Sequence, residues 1–272
     1  MAFLQVTSGA PGAITVIAAI SALFAAMFLL IEAGRRIGIR HHKRDPKGAG
    51  EGLGAIEGAV FGLMGLLVAF TFSGAGARFD ARRQLVAQEA NAIGTAYLRI
   101  SLLPESTQAN LRQSFREYLD ARLEYYRLLP GDRSAADREA DRFTALQAGI
   151  WNQAVEATRQ AGREANANAV TSLVIQSLNE MIDITTTRYV ALKTHPPAII
   201  FWMLISLVLA CSVLAGYGTS ANKSHNWIHC VAFVTILAVT VLVILDYEYP
   251  RFGFIRVDAI DQVLRDLRAS MR

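Results

Sequence analysis

Four long runs of apolar residues divide the chain: Ala13–Ile31, Ala55–Ser73, Ala198–Gly216 and Ile228–Leu245. Each approaches the roughly 20 helical residues that cross a hydrocarbon core at a rise of about 1.5 Å per residue. Glu57, in the first turn of the second run, carries the single formal charge found in the four runs. The first run lacks a preceding basic residue and a small-residue cleavage pattern, so we expect a retained span. The pattern predicts an all-α integral membrane protein with four transmembrane helices.

A polar segment of about 120 residues, 77–197, separates the second run from the third. Its apolar residues recur every three or four positions, which is typical of amphipathic helices, and no alternating strand pattern interrupts them. Breaks are expected at Pro104, at Pro130–Gly131 and at Pro196–Pro197, with a helix start near Ser134 that Asp137 would cap. We therefore predict a large extramembrane helical bundle between spans 2 and 3.

The end of the chain, residues 246–272, carries one apolar stripe that consists of Val257, Ile260, Val263, Leu264 and Leu267. This spacing predicts an amphipathic docking helix over 256–270. The expected organisation is spans 1 and 2 within 1–76, the helical domain within 77–197, spans 3 and 4 within 198–245, and this C-terminal helix.

The charged residues are unevenly distributed, and a basic loop follows the first span. Only 18% of residues are charged, against about 25% in a soluble domain. The loop 32–54 holds six basic and three acidic residues, whereas 77–195 holds 15 basic and 14 acidic ones. The loop would be cytoplasmic by the positive-inside rule, but arginines also flank the other side of the spans, so the orientation stays open. The charge pattern favours a lipid surface over nucleic acid as a partner.

Catalytic and metal-binding patterns do not emerge. The five histidines lie in loops or at span ends, and no H-E-x-x-H or G-x-S-x-G sequence is present. Cys211 and Cys230 lie inside apolar runs, as small hydrophobic residues do. We predict a protein that is not an enzyme and that has no cofactor and no metal site.

The second span has three faces on a helical wheel. One narrow stripe of small residues suits close helix packing, and it contains Gly58, Gly62, Gly65, Ala69, Ser73 and Gly76. A bulkier face with Leu63, Leu66, Leu67 and Phe70 suits lipid. The third face either packs against a neighbouring span or lines a central pore, and it contains Glu57, Phe61, Met64, Val68 and Thr71.

Three segments carry a resemblance to a known family. They are Gly65–Ser73 followed by Arg78-Phe79-Asp80-Ala81-Arg82-Arg83, then Glu89–Arg99 with the break at Leu103-Pro104, and Leu245-Asp246-Tyr247 followed by Pro250–Val257. Together they resemble the bestrophin-like domain family over most of residues 50–270. True bestrophins, its remote relatives, are pentameric ion channels with four spans, a helical cytosolic domain and an apolar neck on the second span. Their acidic calcium clasp has no counterpart, since Asp246, Glu248, Asp258 and Asp261 are scattered.

The resemblance implies a homo-oligomeric ion channel, pentameric as in bestrophins, in a cell membrane such as the bacterial inner membrane. Its partners would be other copies of the chain, the lipid bilayer and inorganic ions. Phe61, Met64 and Val68 would form an apolar constriction, with Glu57 at one mouth. Arg78, Arg82 and Arg83 would ring the other mouth. Alternatively, Arg78 or Arg82 would hold Asp80 or Glu89 on a neighbouring helix. A membrane-bound helical sensor or scaffold without conduction is the alternative function.

Overall fold

The computed structural model describes residues 13–44, 53–161, 167–221, 226–249 and 261–271. Over these residues the regular structure is helical, as the sequence predicts. The α-helices are α1 (Ala13–Arg44), α2 (Leu53–Arg99), α3 (Glu105–Leu128), α4 (Arg133–Ala161), α5 (Ala167–Lys193), α6 (Ala198–Gly218), α7 (Trp227–Glu248) and α8 (Asp261–Ser270). Four helical stretches in this part of the chain are long and apolar enough to cross a membrane. Three of them contain a predicted run entirely, and the first, which begins at Val16, contains all but the first three residues of its run.

Contacts divide the chain into two compact units. Unit 1 comprises residues 1–78 and 195–254, and unit 2 comprises 79–194 and 255–272. The helix α2 runs through the boundary without a break and has 47 residues. At about 1.5 Å per residue it is about 70 Å long, more than twice the ~30 Å of a hydrocarbon core. No proline lies between Ser73 and Arg99, which allows this continuation.

Glycines set the closest helix contact within unit 1. A Cβ atom on Gly34 of α1 would overlap the carbonyl oxygen of Val213 on α6, and one on Gly216 would overlap the carbonyl oxygen of Ile31. Small residues allow this backbone approach in lipid, where dispersion contacts replace the hydrophobic effect between helices. The Gly34-x-x-x-Gly38 spacing is visible in the sequence, but the hydropathy runs alone do not reveal it.

The core of unit 1 joins α1, α2, α6 and α7. Its buried members include Met27, Ile31, Met64, Leu204, Val208, Val234, Val241 and Ile244. Large apolar side chains on the outer faces of the same helices stay exposed, among them Leu29, Phe70, Ile199, Ile228 and Ile236. A helix that is apolar on both its core face and its outer face is typical of a membrane span.

Prolines end the helices of unit 2 where the sequence predicts. The helix α2 ends at Arg99, a 3-10 turn covers Ile100–Leu102, and α3 starts directly after Pro104. The predicted cap of α4 is wrong by one turn, because Asp132 rather than Asp137 holds the helix start. Its Oδ1 atom accepts from the Ala135 N–H at 2.9 Å and from the Ser134 hydroxyl at 2.9 Å. These bonds, the first above all, lower the pKa of the Asp132 carboxyl.

The C-terminal helix α8 packs within unit 2. Leu264 is fully buried, whereas Val263 of the predicted apolar stripe stays 42% exposed. Leu267 contacts the site of Gly94 on α2, and Arg268 forms a two-pronged ion pair with Asp120 on α3 at 2.7 and 2.9 Å. A docking helix is therefore present over 261–270, while Val257 and Ile260 lie outside the described residues.

Candidate pore-lining helix and its charged end

One face of α2 packs into the core of its own subunit. Met64 is 8% exposed, and Phe61 and Val68 pack against the same buried cluster. The Phe61 ring meets the ring of Phe233 on α7 edge to face, with their centroids 6.2 Å apart. Of the two roles left open for this face, the structure supports packing against neighbouring spans. The pore-wall role of Phe61, Met64 and Val68 stays a prediction, to be tested on the assembled protein.

Glu57 and Thr71 belong to the same inward side. The Glu57 carboxylate lies beside the last turn of α6, where a Cβ atom on Gly218 would lie 3.2 Å from its Oε2 atom. The Thr71 hydroxyl donates to the carbonyl oxygens of Leu67 at 2.8 Å and Val68 at 3.0 Å, so it is satisfied on its own helix. Neither group lies on the outer face of the subunit as the sequence-based pore hypothesis requires.

The opposite face of α2 is not covered by any described part of the chain. A Cβ atom on Gly58, Gly62 or Gly65 would meet nothing within 4 Å. Ala69 and Ser73 are exposed, as are Leu66 at 52% and Phe70 at 67%. The small-residue stripe is therefore not in contact with the described spans of its own chain. Its predicted role in helix packing stays a prediction, for a contact with another copy of the chain.

Arg78 belongs to a charge network at the end of unit 1. Its Nε atom donates to Oε2 of Glu248 at 2.9 Å, and Nδ1 of His195 lies 2.8 Å from Oε1 of the same carboxylate. Glu248 is fully buried, and the His195 ring stacks on Tyr249 with centroids 4.8 Å apart. Because the carboxylate offsets the charge of Arg78, the geometry favours the predicted alternative of ion pairing over a free ring of charge. The partner is Glu248 rather than a nearby carboxylate on α2.

Arg82 and Arg83 behave differently from each other. Arg82 is 5% exposed, and its guanidinium donates to the carbonyl oxygens of Ala191 at 3.0 Å and Thr194 at 2.9 Å. It therefore caps the C-terminal end of α5, where a cation suits the helix dipole. The Arg83 side chain is 52% exposed and lies 3.8 Å from Asp80. The pore-mouth role of Arg82 stays a prediction, and in the single chain its guanidinium is bound inside unit 2.

A buried ionic cluster in unit 2 escaped the sequence reasoning. Glu89 on α2 is fully buried and pairs with Arg122 on α3, at 2.8 Å from Nε, and with Arg188 on α5. The two arginines also lie over the Tyr126 ring, with Arg122 4.9 Å and Arg188 4.2 Å from its centroid. Arg122 does fall on the apolar stripe of its helix in the sequence. A charged residue on an apolar stripe indicates a buried ion pair, so Arg122 could have revealed the cluster from the sequence.

Tyr118 carries a hydroxyl that lacks a hydrogen-bond partner among the described residues. Its burial raises the pKa of the phenol, with a smaller opposing effect of Arg122. Replacing Tyr118 by phenylalanine is expected to leave the thermal midpoint in detergent unchanged or to raise the stability by up to about 1 kcal/mol, because it removes an unsatisfied polar group. Tyr126→Phe is the matched control, since it deletes a hydroxyl that accepts from Arg122 at 2.6 Å. We expect a loss of about 1.5–3 kcal/mol there, and equal losses in the two variants would contradict the assignment.

Metal ligands do not cluster in the described part of the chain. Across these residues no group of three His, Cys, Asp or Glu side chains is placed to hold a metal ion. Glu248 is instead paired with Arg78 and His195. Asp258, one of the four acidic residues near the end of the chain, lies outside the described residues.

Comparison with solved structures identifies the fold. A leucine-to-threonine variant of a bacterial bestrophin homologue from Klebsiella pneumoniae matches with a TM-score of 0.66 at 15% identity, covering 91% of this chain and 98% of that one. The homologue solved by zinc phasing matches with a TM-score of 0.63 at 16% identity, covering 89% and 97% of the two chains. A tyrosine-to-alanine variant gives 0.62 at 14% identity, covering 90% and 98%. The chain thus shares the fold of these membrane proteins.

Sequence comparison gives the family. No curated protein matches the chain. The sequence model of the bestrophin-like domain matches residues 21–260, which include all four spans and most of the helical domain. This chain therefore belongs to the bestrophin-like domain family.

Proposed function

We propose that the protein is an ion channel assembled from several copies of this chain, five by analogy with bestrophins, with a pore lined by the outer face of α2. The observation that carries the proposal is an apolar face of α2 that no part of the described chain covers. Family membership supports the same function. The partners in this proposal are other copies of the chain, the lipid bilayer and inorganic ions, and the location is a cell membrane such as the bacterial inner membrane.

The buried side of α2 indicates which residues would face the axis of a ring. In a ring built round α2, the face turned away from the subunit's own spans points at the centre. With 3.6 residues per turn, Gly62, Leu66 and Ser73 lie opposite Met64 and Ala75, which are both buried. These three residues take the place of the Phe61 side as the proposed pore wall.

Large apolar side chains on this face suit a constriction. Leu66 and Phe70 are 52% and 67% exposed in the single chain. Rings of such side chains close a narrow pore to ions by dewetting, because an ion would have to shed its water without replacement ligands. Gly58, Gly65 and Ala69 lie beside them, and such small residues allow helices of neighbouring copies to approach closely.

Particle images and ion flux test the proposal together. Purified protein in mild detergent is expected to form rings with five-fold symmetry, and proteoliposomes are expected to pass small ions. Protein that stays monomeric or dimeric and passes no ions would contradict the channel and would favour the sensor or scaffold function.

Enlarging the constriction tests the assigned face. Leu66→Ser combined with Phe70→Ser is expected to raise ion flux several-fold, because hydroxyl groups and a wider bore allow water to stay in the neck. The control is Leu29→Ser on α1, which alters a side chain that is 71% exposed but belongs to another span. Flux from dye-loaded proteoliposomes is the measurement. Unchanged flux in the double variant, or an equal rise in the control, would exclude this face as the pore wall.

A further inference from the structure

A cleft opens at the end of α1 where α1 meets the turn that follows α6. Its volume is about 370 Å³, and its lining consists of Ile39, His42, Lys43, Ser220 and Ala221. All five residues belong to unit 1, and they come from the last turns of α1 and from the 3-10 turn Thr219–Ala221. The cleft is separate from the outer face of α2 that forms the proposed pore wall.

The cleft lies at the level of lipid headgroups. The apolar run of α1 ends at Ile31, but the helix continues to Arg44. Ser220 of the cleft packs against Gly38 of α1. Ser220 follows Gly216, the last residue of the third apolar run, by four residues, which is roughly 6–8 Å along a helical backbone. The headgroup layer extends about 5–8 Å beyond each side of a hydrocarbon core about 30 Å thick, so the cleft begins within this layer. The other wall follows span 3 directly, so both walls emerge from the bilayer together.

The charge at this end of α1 is positive. The last turn contains His41, His42, Lys43 and Arg44, and no acidic side chain contributes to the cleft lining among the described residues. Two acidic residues of the adjoining helices, Glu32 and Glu57, do not line the cleft. Glu32 accepts from Arg36 at 2.7 Å, and Glu57 lies beside Gly218. Lys43 is exposed at the cleft and supplies an ammonium group with three donors.

Side-chain contacts hold the residues at and beside the cleft in place. Nδ1 of His41 lies 2.5 Å from the hydroxyl of Tyr217, and the His42 ring stacks on the same tyrosine with centroids 6.5 Å apart. Ser220 packs against Gly38, where a side chain would overlap its hydroxyl. That hydroxyl is buried and has no hydrogen-bond partner among the described residues. Ser220 is one of the lining residues, and a bound acceptor is the kind of partner that its unsatisfied hydroxyl requires.

We propose that this cleft binds the phosphate group of an anionic phospholipid headgroup. Phosphate oxygens accept hydrogen bonds from an ammonium group, an imidazole N–H and a hydroxyl, and the cleft offers Lys43, His42 and Ser220 for these roles. Basic pockets between transmembrane helices are suited to anionic headgroups, whose acyl chains remain in the adjacent bilayer. The apolar side chains of Ile39 and Ala221 complete the lining beside those chains. The site does not depend on conduction.

Native mass spectrometry of the full-length protein in detergent tests the site. Phosphatidylglycerol and phosphatidylcholine are added in parallel, and bound lipid is counted per subunit. The wild type is expected to bind phosphatidylglycerol several-fold more tightly than phosphatidylcholine. Lys43→Gln should weaken that preference, and His42→Gln with Lys43→Gln should abolish it. Arg40→Gln is the matched control, because Arg40 is an exposed cation on the same helix that does not line the cleft.

Three results would overturn the proposal. The first is an equal loss of phosphatidylglycerol in Arg40→Gln, which would indicate diffuse surface charge. The second is binding in the double variant that matches the wild type. The third is a rise in thermal midpoint with millimolar inorganic phosphate equal to that with phosphatidylglycerol, which would assign the cleft to the free ion. Since Lys43 is exposed, Lys43→Gln is expected to fold, and its thermal midpoint without lipid checks this.

Discussion

Replacing Glu89 by glutamine is expected to destabilise unit 2 by about 3–5 kcal/mol, because the change leaves two buried guanidinium groups without their common anion. Glu89 is fully buried, and Arg122 and Arg188 are 2% and 4% exposed. Water therefore cannot replace the lost carboxylate charge. The glutamine can still accept a hydrogen bond, but it cannot offset either positive charge.

Urea unfolding in detergent measures this loss. Trp151 on α4 reports on unit 2, and the background Trp202→Phe with Trp227→Phe removes the tryptophans of the spans. Asp120→Asn is the matched control, because it removes an ion pair with Arg268 whose side chains are 48% and 32% exposed. Exposed pairs contribute about 0–1 kcal/mol. A Glu89→Gln variant that loses no more than the control would contradict the role assigned to the cluster.

A further variant separates charge from packing. Replacing Glu89, Arg122 and Arg188 together with apolar residues of similar volume is expected to recover most of the stability lost in Glu89→Gln. Removing all members of a buried ionic cluster leaves no uncompensated charge, and such replacements are often neutral or stabilising. A triple variant as unstable as Glu89→Gln would mean that side-chain shape, rather than charge balance, holds these helices together.

Introducing alanine at Gly34 or Gly216 is the second change with a large expected effect. Each added methyl group would overlap a backbone carbonyl of the partner helix, of Val213 or of Ile31. Backbone atoms cannot rotate away as a flexible side chain can, so α1 and α6 must separate along their closest contact. Overpacking of this kind costs about 1–3 kcal/mol, and we expect values at the upper end.

The thermal midpoint of the purified protein in detergent tests the contact between α1 and α6. Gly149→Ala on α4 is the control, because a Cβ atom there would meet nothing within 4 Å. In a helix interior this control should raise stability by up to about 1 kcal/mol through the better helix propensity of alanine. If the thermal midpoints of Gly34→Ala and Gly216→Ala equal that of Gly149→Ala, the two helices are not in backbone contact.

The faces of α2 show what the sequence leaves undecided. A helical wheel separates a small-residue stripe from the Phe61, Met64 and Val68 side, but it does not show which of them faces the subunit's own spans. Both faces are apolar, and a transmembrane helix has no polar side to mark its outside. Only the tertiary structure decides which face is inner: Phe61 contacts Phe233 of α7, and Met64 is buried in a core shared with α1, α6 and α7.

The arginines after span 2 illustrate the same limit. A charge near a membrane end is visible in the sequence, but its partner is not. Arg78 pairs with Glu248, which is 170 residues away, and Arg82 reaches carbonyl groups 109 and 112 residues away. The sequence suggests acidic partners that are near in the chain. In the structure both arginines do have partners, but these partners are distant in the sequence. No local spacing rule links positions this far apart.

Local chemistry determined the four spans, the helical block, its proline breaks and the C-terminal helix. Hydropathy over about 20 residues and the missing N–H of proline act within a few turns of chain, so they can be read without knowing the fold. Tertiary structure alone decided the inner face of α2, the glycine contact between α1 and α6, the charge cluster at Glu89 and the basic cleft at Lys43. Each of these depends on which distant segments become neighbours, and pairwise proximity is not a property of any one segment.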